Sequence, residues 1–513
     1  MNRAPKDRRW LILLVLCATV FLVVVDNTVV NVALPTLSER LKATDSDLQW
    51  IVDGYSLPFA GLLLAGGSLS DRYGRRRVMQ TAILAFGLFS LLAARSTNIS
   101  ELLVARALMG AAAAFIFPAT LSLLTMTFED PSERAKAFGF WGATSGVAVA
   151  FGPIVGGALI THYWYGSIFL VNIPIVLIAF FSVAAVVPES KAPRPKRFDW
   201  VALLVGSAAI TFLVFAIIEG PTWGWRSEST LGLLASSVLL FLGSVLYELR
   251  REEPLLDVRV FANRGFSAGA ASIATSFFCL FGFIFLVTQY FQLIKGYSAF
   301  SAGVHTLPFA IVTVIATPLG ATLALRFGAR YVVSIGLLIM GVALMWMADI
   351  SATAHYLGPV IGSMVVLAVG FSLITAPSTA AIMKSLRPEQ IGAGAAVNET
   401  TREIGGTLGV AVFGSVFSSL FTPQVRRALS DLGLSHHQLD SAQGSMQSAL
   451  AVVARVPHAS PLFVEVNRGV TSAFMNGFHR GCLVGAIATT LMGLSVFGFL
   501  PKEAARKEEL VLA

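Results

Sequence analysis

The chain has 513 residues, 55% of them hydrophobic and only 13% charged, with a mean hydropathy of +0.74. A water-soluble domain carries about 25% charged residues, so this composition excludes an ordinary soluble fold and makes lipid the better solvent. The net charge of +8 does not indicate nucleic-acid binding, because the basic residues lie in short clusters between apolar runs and not in a patch or stripe.

Arg3, Lys6, Arg8 and Arg9 precede an apolar run from Trp10 to Ala33. That run is too long for a signal-peptide core and lacks a small-residue cleavage pattern, so it reads as a retained first span. A transmembrane helix needs about 20 mostly apolar residues. Windows of that length place spans at 10–33, 47–69, 78–96, 100–124, 136–160, 165–187, 198–218 and 228–249. A second set lies at 264–287, 301–325, 330–349, 354–376, 393–421 and 474–500, making fourteen. Residues 188–197 (PESKAPRPKR) form a Pro-rich basic linker, and 422–473 read as one long external loop with some amphipathic character. Cys17, Cys279 and Cys482 all fall in apolar stretches and read as small buried hydrophobes.

Orientation follows from Lys and Arg in the connections. With the N-terminus inside, the inner connections receive most of the chain's 37 basic residues. The short outer connections keep only Arg40, Lys42, Arg95, Arg226 and Lys295. Both termini are therefore expected on the cytoplasmic side of the cell (inner) membrane.

The chain repeats itself. Gly66–Val78 (GGSLSDRYGRRRV) and Gly320–Val332 (GATLALRFGARYV) align with Gly66 on Gly320, Leu69 on Leu323, Arg72 on Arg326, Gly74 on Gly328, Arg76 on Arg330 and Val78 on Val332. Each copy joins the second and third spans of its half if the seventh and eighth spans are an insertion. The expected organisation is a six-helix bundle over 1–187, a linker with two inserted helices over 188–263, and a second six-helix bundle over 264–513. Duplicated halves around a central pathway mark secondary transporters.

These stretches resemble the major facilitator superfamily, and within it the fourteen-span drug–proton antiporter family. G67-S-L-S-D-R-Y-G-R-R-R77 is similar to the superfamily's signature between spans 2 and 3, and V25-D-N-T-V-V-N-V-A-L-P35 to the exporters' span 1 signature. R106-A-L-M-G-A-A-A-A114 resembles the proton-coupling signature of span 4, with Met109 where a polar residue is common. G152-P-I-V-G-G157 resembles the antiporter signature of span 5, with Ala148 replacing a frequent glycine. F198-D-W200, G224-W225 and P254-L-L-D-V-R-V-F-A-N-R264 resemble markers around the two extra spans. The resemblance implies an all-α major facilitator fold and assigns Asp26 and Arg106 to positions implicated in coupling.

An Asp or Arg near a span centre costs roughly 2.5–3.5 kcal/mol on insertion scales, so such residues persist when paired or functional. Asp26, Arg106 and Asp53 lie at one depth, about 10 Å inside the outer ends of spans 1, 4 and 2 at 1.5 Å per residue. They read as a cluster facing the pathway, where one proton and a cationic substrate compete; the alternative is a structural pair, and for Asp53 a solvated interfacial site. In span 13, Glu399 and Glu403 share a helix face and Arg402 can pair with Glu399. They read as a second carboxylate site, against a charged helix start near the cytoplasm.

Gly67, Asp71, Arg72, Gly74, Arg75 and Arg76 are expected to form a gate whose contacts exist in one access state, beyond plain anchoring. Gly152, Gly156 and Gly157 permit close helix approach and Pro153 permits a bend. Tyr55, Phe115, Trp141 and Tyr290 are candidate cavity-lining rings. The seven histidines show no metal-ligand spacing, and neither a phosphate-binding G-x-x-x-x-G-K-[ST] nor a G-x-S-x-G elbow occurs. No catalytic residue, metal or cofactor is expected.

The sequence thus predicts a proton-coupled exporter of hydrophobic, often cationic compounds, working by alternating access. The alternative is an exporter or flippase of a lipid or endogenous metabolite on the same fold. The expected partners are the lipid bilayer, small hydrophobic substrates and protons, with no nucleic acid and no partner protein assignable.

Overall fold

The computed structural model describes residues 6–499 apart from 129, 192–198, 252, 253, 255–257, 386–390, 433, 458 and 459. Arg3, the middle of the basic linker, Phe198, Arg387 and the tail residues Lys502, Arg506 and Lys507 lie outside the described residues.

Among the described residues there is no strand. The helices are α1 Lys6–Leu41, α2 Asp45–Tyr73, α3 Arg75–Arg95, α4 Ile99–Thr127, α5 Pro131–His162, α6 Ser167–Leu170 and α7 Asn172–Val186. Next come α8 Trp200–Trp223, α9 Glu228–Arg250, α10 Arg264–Gln289, α11 Ala299–Phe327, α12 Ala329–Met347 and α13 Ile361–Lys384. α14 Ile391–Leu429, α15 His436–Gln443, α16 Met446–Val453 and α17 Pro461–Phe499 complete the chain. Helices are the only open-ended way to satisfy every backbone group inside lipid. Polar residues at the ends start them: Thr44 and Asp47 form a reciprocal capping box on α2, and Asn98, Asp199 and Asn263 accept from the first turns of α4, α8 and α10.

The predicted spans overlap the described helices, with 165–187 divided between α6 and α7. Twelve described helices are long and apolar enough to cross a membrane, or thirteen if bent α2 counts as one span. α2 bends by 53° between Asp45–Leu63 and Ala65–Tyr73, where Pro58 lies one and a half turns upstream and the Gly66–Gly67 pair follows directly. In α5 the stretch 147–162 is apolar but shorter than a span.

The segment 422–473 differs from the expected loop. α14 continues to Leu429 and α17 begins at Pro461, so the connection is shorter and itself carries α15 and α16. The physical reason is a buried stripe that outlasts the hydrophobic span: Phe421, Val425 and Leu429, and then Val466, Val470 and Phe474, recur every four residues and are buried.

The helices form two lobes, α1–α7 and α10–α14 with α17. The sequence repeat is repeated in space. Gly74 and Gly328 both take positive φ, +114° and +91°, between the second and third helices of their lobes. Gly66 and Gly320 both lie against a backbone carbonyl of the next helix but one, Ala114 and Ser372. The lobes meet along two pairs, α5 with α11 and α2 with α14. The inserted helix α8 packs on both α2 and α14, so it touches both lobes.

The turn holding Gly74 and its arginines marks one end of the bundle, the basic end. At the opposite, far end the lobes touch. Gly157 lies against Ala299 and Phe300, and Gly303 against the Pro153 carbonyl. Gln292 donates to the Val32 carbonyl at 2.9 Å, and Asp45 N–H to the Gly444 carbonyl at 2.8 Å. The Ser38 and Ser445 hydroxyls bond at 3.1 Å.

Candidate functional site

Asp26 and Arg106 are both fully buried and form an ion pair, Nη1 to Oδ2, of 2.8 Å. Arg106 Nε donates to the Ile51 carbonyl at 3.0 Å, and its guanidinium lies 4.3 Å over the Tyr55 ring. The other Asp26 oxygen accepts from Asn172 Nδ2 at 2.6 Å, and the same amide donates to Ser90 Oγ at 3.0 Å. Five helices converge on one charge pair. Gly110, one turn beyond Arg106, makes this possible: a Cβ there would stand 2.0 Å from the Tyr55 carbonyl oxygen, so α4 reaches α2 only because that side chain is hydrogen. Asn172 was not singled out from the sequence; its signal was a lone amide opening an otherwise apolar span.

Asp53 is not part of this pair. It is fully buried, and neither of its carboxylate oxygens has a hydrogen-bond partner among the described residues. One turn to either side on α2, Gln49 packs beneath Gly414 of α14, and Leu57 shares a buried cluster with Val214 and Ile218 of α8 and Ala411 of α14. Asp53 therefore faces the seam between the lobes and is not the solvated interfacial residue that its position in span 2 allowed. The facing ladder on α14 is Glu403, Thr407 and Ala411, one turn apart. Glu403 Oε2 and Thr407 Oγ1 are also buried without partners, as is Ser56 Oγ on α2. Burying polar groups without hydrogen bonds is costly; Arg106 Nη2 and Asn172 Oδ1 in the paired cluster are likewise without partners among the described residues.

Glu399 and Glu403 are 8% and 7% exposed, so neither is a wetted helix start. Arg402 approaches Glu399 at 3.4 Å and lies 5.1 Å over the Phe277 ring. Tyr55 lies within electrostatic reach of Asp26, Arg106 and Glu403 together.

At the basic end, Asp71 and Arg75 pair at 2.7 Å, and Arg75 also contacts Met126 Sδ. Glu189, from the chain after α7, caps α3 by accepting from the N–H groups of Arg76 and Arg77 at 3.2 Å each. Arg76 Nη1 donates to the Val187 carbonyl at 3.3 Å, and Arg72 is exposed beside Tyr73. Gly67 is half-buried, with Pro118 as its nearest neighbour across the helix pair. All these partners belong to the first lobe or to the chain directly after it. Glu189 was missed from the sequence because it lies far from the motif it holds.

The glycine motif of α5 has two faces. Gly152 and Gly156 lie against Thr28 and Val29 of α1, whereas Gly157 lies against α11. Pro153 presents its carbonyl to Gly303 on α11. One short stretch thus binds α5 to its own lobe and to the other.

The four candidate rings separate. Tyr55 belongs to the Arg106 cluster, and Phe115 is half-buried at the edge of the core. Trp141 is enclosed in its lobe, donating to Thr120 Oγ1 at 3.2 Å with its ring edge-on to Phe117. Tyr290 is enclosed too, stacked on Phe478 at 5.3 Å.

Residues 16–410 match the family model described as Major Facilitator Superfamily. The chain belongs to that superfamily. It is 32% identical to the tetracenomycin C resistance and export protein of Streptomyces glaucescens, over 96% of this chain and 92% of that protein. It is 33% identical to the multidrug efflux pump LfrA of Mycolicibacterium smegmatis, over 95% of each. Among solved structures it resembles an inward-facing bacterial homologue of the human lysosomal transporter Spinster, with a TM-score of 0.64 at 17% identity over 98% of this chain and 100% of that one. This major facilitator protein is thus a multi-pass membrane transporter and not an enzyme, and its relatives are drug-resistance and export proteins.

Proposed function

We propose that the chain is a proton-coupled antiporter that exports hydrophobic, often cationic compounds by alternating access. The observation that carries this reading is the division among its buried acids. Asp26 is compensated by Arg106 inside one lobe, while Asp53 and Glu403 stand with unpartnered oxygens at the seam that must open and close. A buried carboxylate left uncompensated costs several kcal/mol. A proton or a cationic substrate relieves that cost equally well, so the two compete for the seam. Arg106 links the seam to Asp26 through Tyr55, so a change of charge at one is felt at the other.

Access follows from where the lobes touch. Among the described residues their contacts gather at the far end, while the loop motif's partners are on its own side. By the positive-inside rule the basic end is cytoplasmic, in the cell (inner) membrane. The described conformation then faces inward, ready to load substrate from the cytoplasm or inner leaflet. The boundaries at 187/188 and 263/264 divide the moving lobes from the inserted hairpin.

The test is efflux of a lipophilic cationic dye from reconstituted vesicles with an imposed pH gradient. Asp26→Asn is expected to lose proton-driven efflux when transport is measured per amount of folded, reconstituted protein, which separates the loss from the variant's lower stability. Efflux unchanged by this variant removes Asp26 from the mechanism. Competition by lipids but not by cations replaces the drug reading with export of a lipid.

A further inference from the structure

A groove on the flank of the bundle has a construction that the coupling groups do not require. Between α2, α4 and the inserted helix α8 lies a cavity of about 410 Å³, open sideways and walled almost entirely by carbon. α8 contributes Leu203, Ser207 and Thr211, one turn apart. The next two positions on that face are Phe215 and Glu219. Gly54 and Gly61 supply the hollow on the α2 side. The Ser207 hydroxyl donates to the Gly61 carbonyl at 3.4 Å where the helices close together.

At the other limit of the groove sits Glu219. Its Oε1 accepts from Trp50 Nε1 at 2.9 Å and from Ser46 Oγ at 2.8 Å. Oε2 accepts no hydrogen bond from the described residues. Trp50 lines the groove itself, its ring 5.1 Å from Phe215, which is 5.5 Å from Trp223. Glu219 and the rings of Phe215 and Trp223 thus lie just beyond the lined part of the slot, joined to it through Trp50. From Trp50 to Gly61 the slot runs roughly 16 Å at 1.5 Å per residue.

These two features select an occupant. A hydrocarbon chain gains little by leaving lipid for another apolar surface, so the slot alone does not choose. The head does, because aromatic faces beside an anion favour an ammonium group, and they do so most at the membrane boundary where screening is weak. We propose that the α2–α4–α8 groove binds a single-chain amphiphilic cation, its ammonium head at Glu219 and its chain along Gly54–Gly61. This site is separate from the lobe seam and does not depend on the coupling read there. Because α8 is also tied to α14, through Ser415 Oγ to the Ile217 carbonyl at 2.7 Å, the occupant rests on the element that touches both lobes.

The experiment uses the full chain in phosphatidylcholine nanodiscs and a dodecyltrimethylammonium probe bearing a diazirine in its chain, with crosslinks mapped by mass spectrometry. Crosslinks are expected in 54–62 and 203–211, competed by unlabelled dodecyltrimethylammonium and not by dodecyl sulfate. Glu219→Gln keeps an oxygen for Trp50 and Ser46 but removes the charge, and is expected to lower this labelling about tenfold, equivalent to roughly 1.4 kcal/mol. Gly54→Leu fills the slot, its added Cβ meeting only Leu103 at an ordinary 3.8 Å, and is expected to lower labelling similarly. Wild-type labelling in Glu219→Gln, equal competition by dodecyl sulfate, or crosslinks confined to other segments would each overturn the proposal.

Discussion

Asp26 and Asp53 are both fully buried aspartates of one lobe, yet they are held in opposite ways. Asp26 has a partner on each oxygen, one of them a fully buried guanidinium. Asp53 has none. The difference lies in what surrounds each: Asp26 sits where α1, α3, α4 and α7 pack within one lobe, and Asp53 lies on α2 one turn from Gln49, which packs beneath Gly414 of the other lobe. A group inside a lobe can keep its partners through every conformation. On the proposed alternating access one at a moving seam cannot, and its charge would be answered by a proton or cation that comes and goes.

That contrast is open to direct attack. Its largest expected effect is on Arg106. Removing one partner of a buried ion pair costs about 3–5 kcal/mol, so Arg106→Ala should lower the thermal midpoint of the purified protein by many degrees and abolish efflux. Arg402→Ala, which removes a longer contact to Glu399 from a partly exposed guanidinium, should cost less than Arg106→Ala. Equal losses would mean that the two pairs are not held differently.

The two aspartates themselves should then separate in a thermal melt. Asp26→Asn leaves Arg106 buried without its counter-charge and should destabilise by roughly 2 kcal/mol or more. Asp53→Asn removes an uncompensated carboxylate at nearly constant shape and should leave the midpoint unchanged or raised, while efflux of cationic dye falls. A destabilised Asp53→Asn would mean that Asp53 has a partner the seam reading denies it.

The seam also differs from the loop at the basic end. A side chain on Gly157 would place its Cβ 2.4 Å from the Ala299 carbonyl oxygen, so Gly157→Val should force the far end apart. The measurement is disulfide formation between Ser38→Cys and Ser445→Cys, whose hydroxyls lie 3.1 Å apart; it should slow about tenfold or more, as for a shift near 1.4 kcal/mol. Gly67→Ala is the smallest effect expected, because its Cβ meets only Pro118 at 3.7 Å. Transport by that variant should stay within about twofold of wild type, since a change free of clash stays within about 0.5 kcal/mol.

Much of this molecule was legible in the chain alone, for definite reasons. Helix positions follow from apolar run length, because lipid allows no other open-ended element. The duplicated loops follow from Gly74 and Gly328, which hold one left-handed turn in both lobes. The buried acids were visible as charges inside apolar runs. Their division was not: equal depth suggested one cluster of Asp26, Arg106 and Asp53, whereas Asp53 shares no hydrogen bond with that pair. Sequence position sets depth along a span; only packing against a neighbour sets which way a side chain faces. The same limit hid Asn172 and Glu189, whose partners lie far away in the chain, and it hid the double use of the α5 glycines. The sequence by itself determined that this chain is a duplicated helical transporter, because solvent and backbone chemistry act locally. The tertiary structure alone decided which charges are paired, which buried carboxylates lack a partner among the described residues, and where the lobes touch, because these are relations between helices that no single span contains.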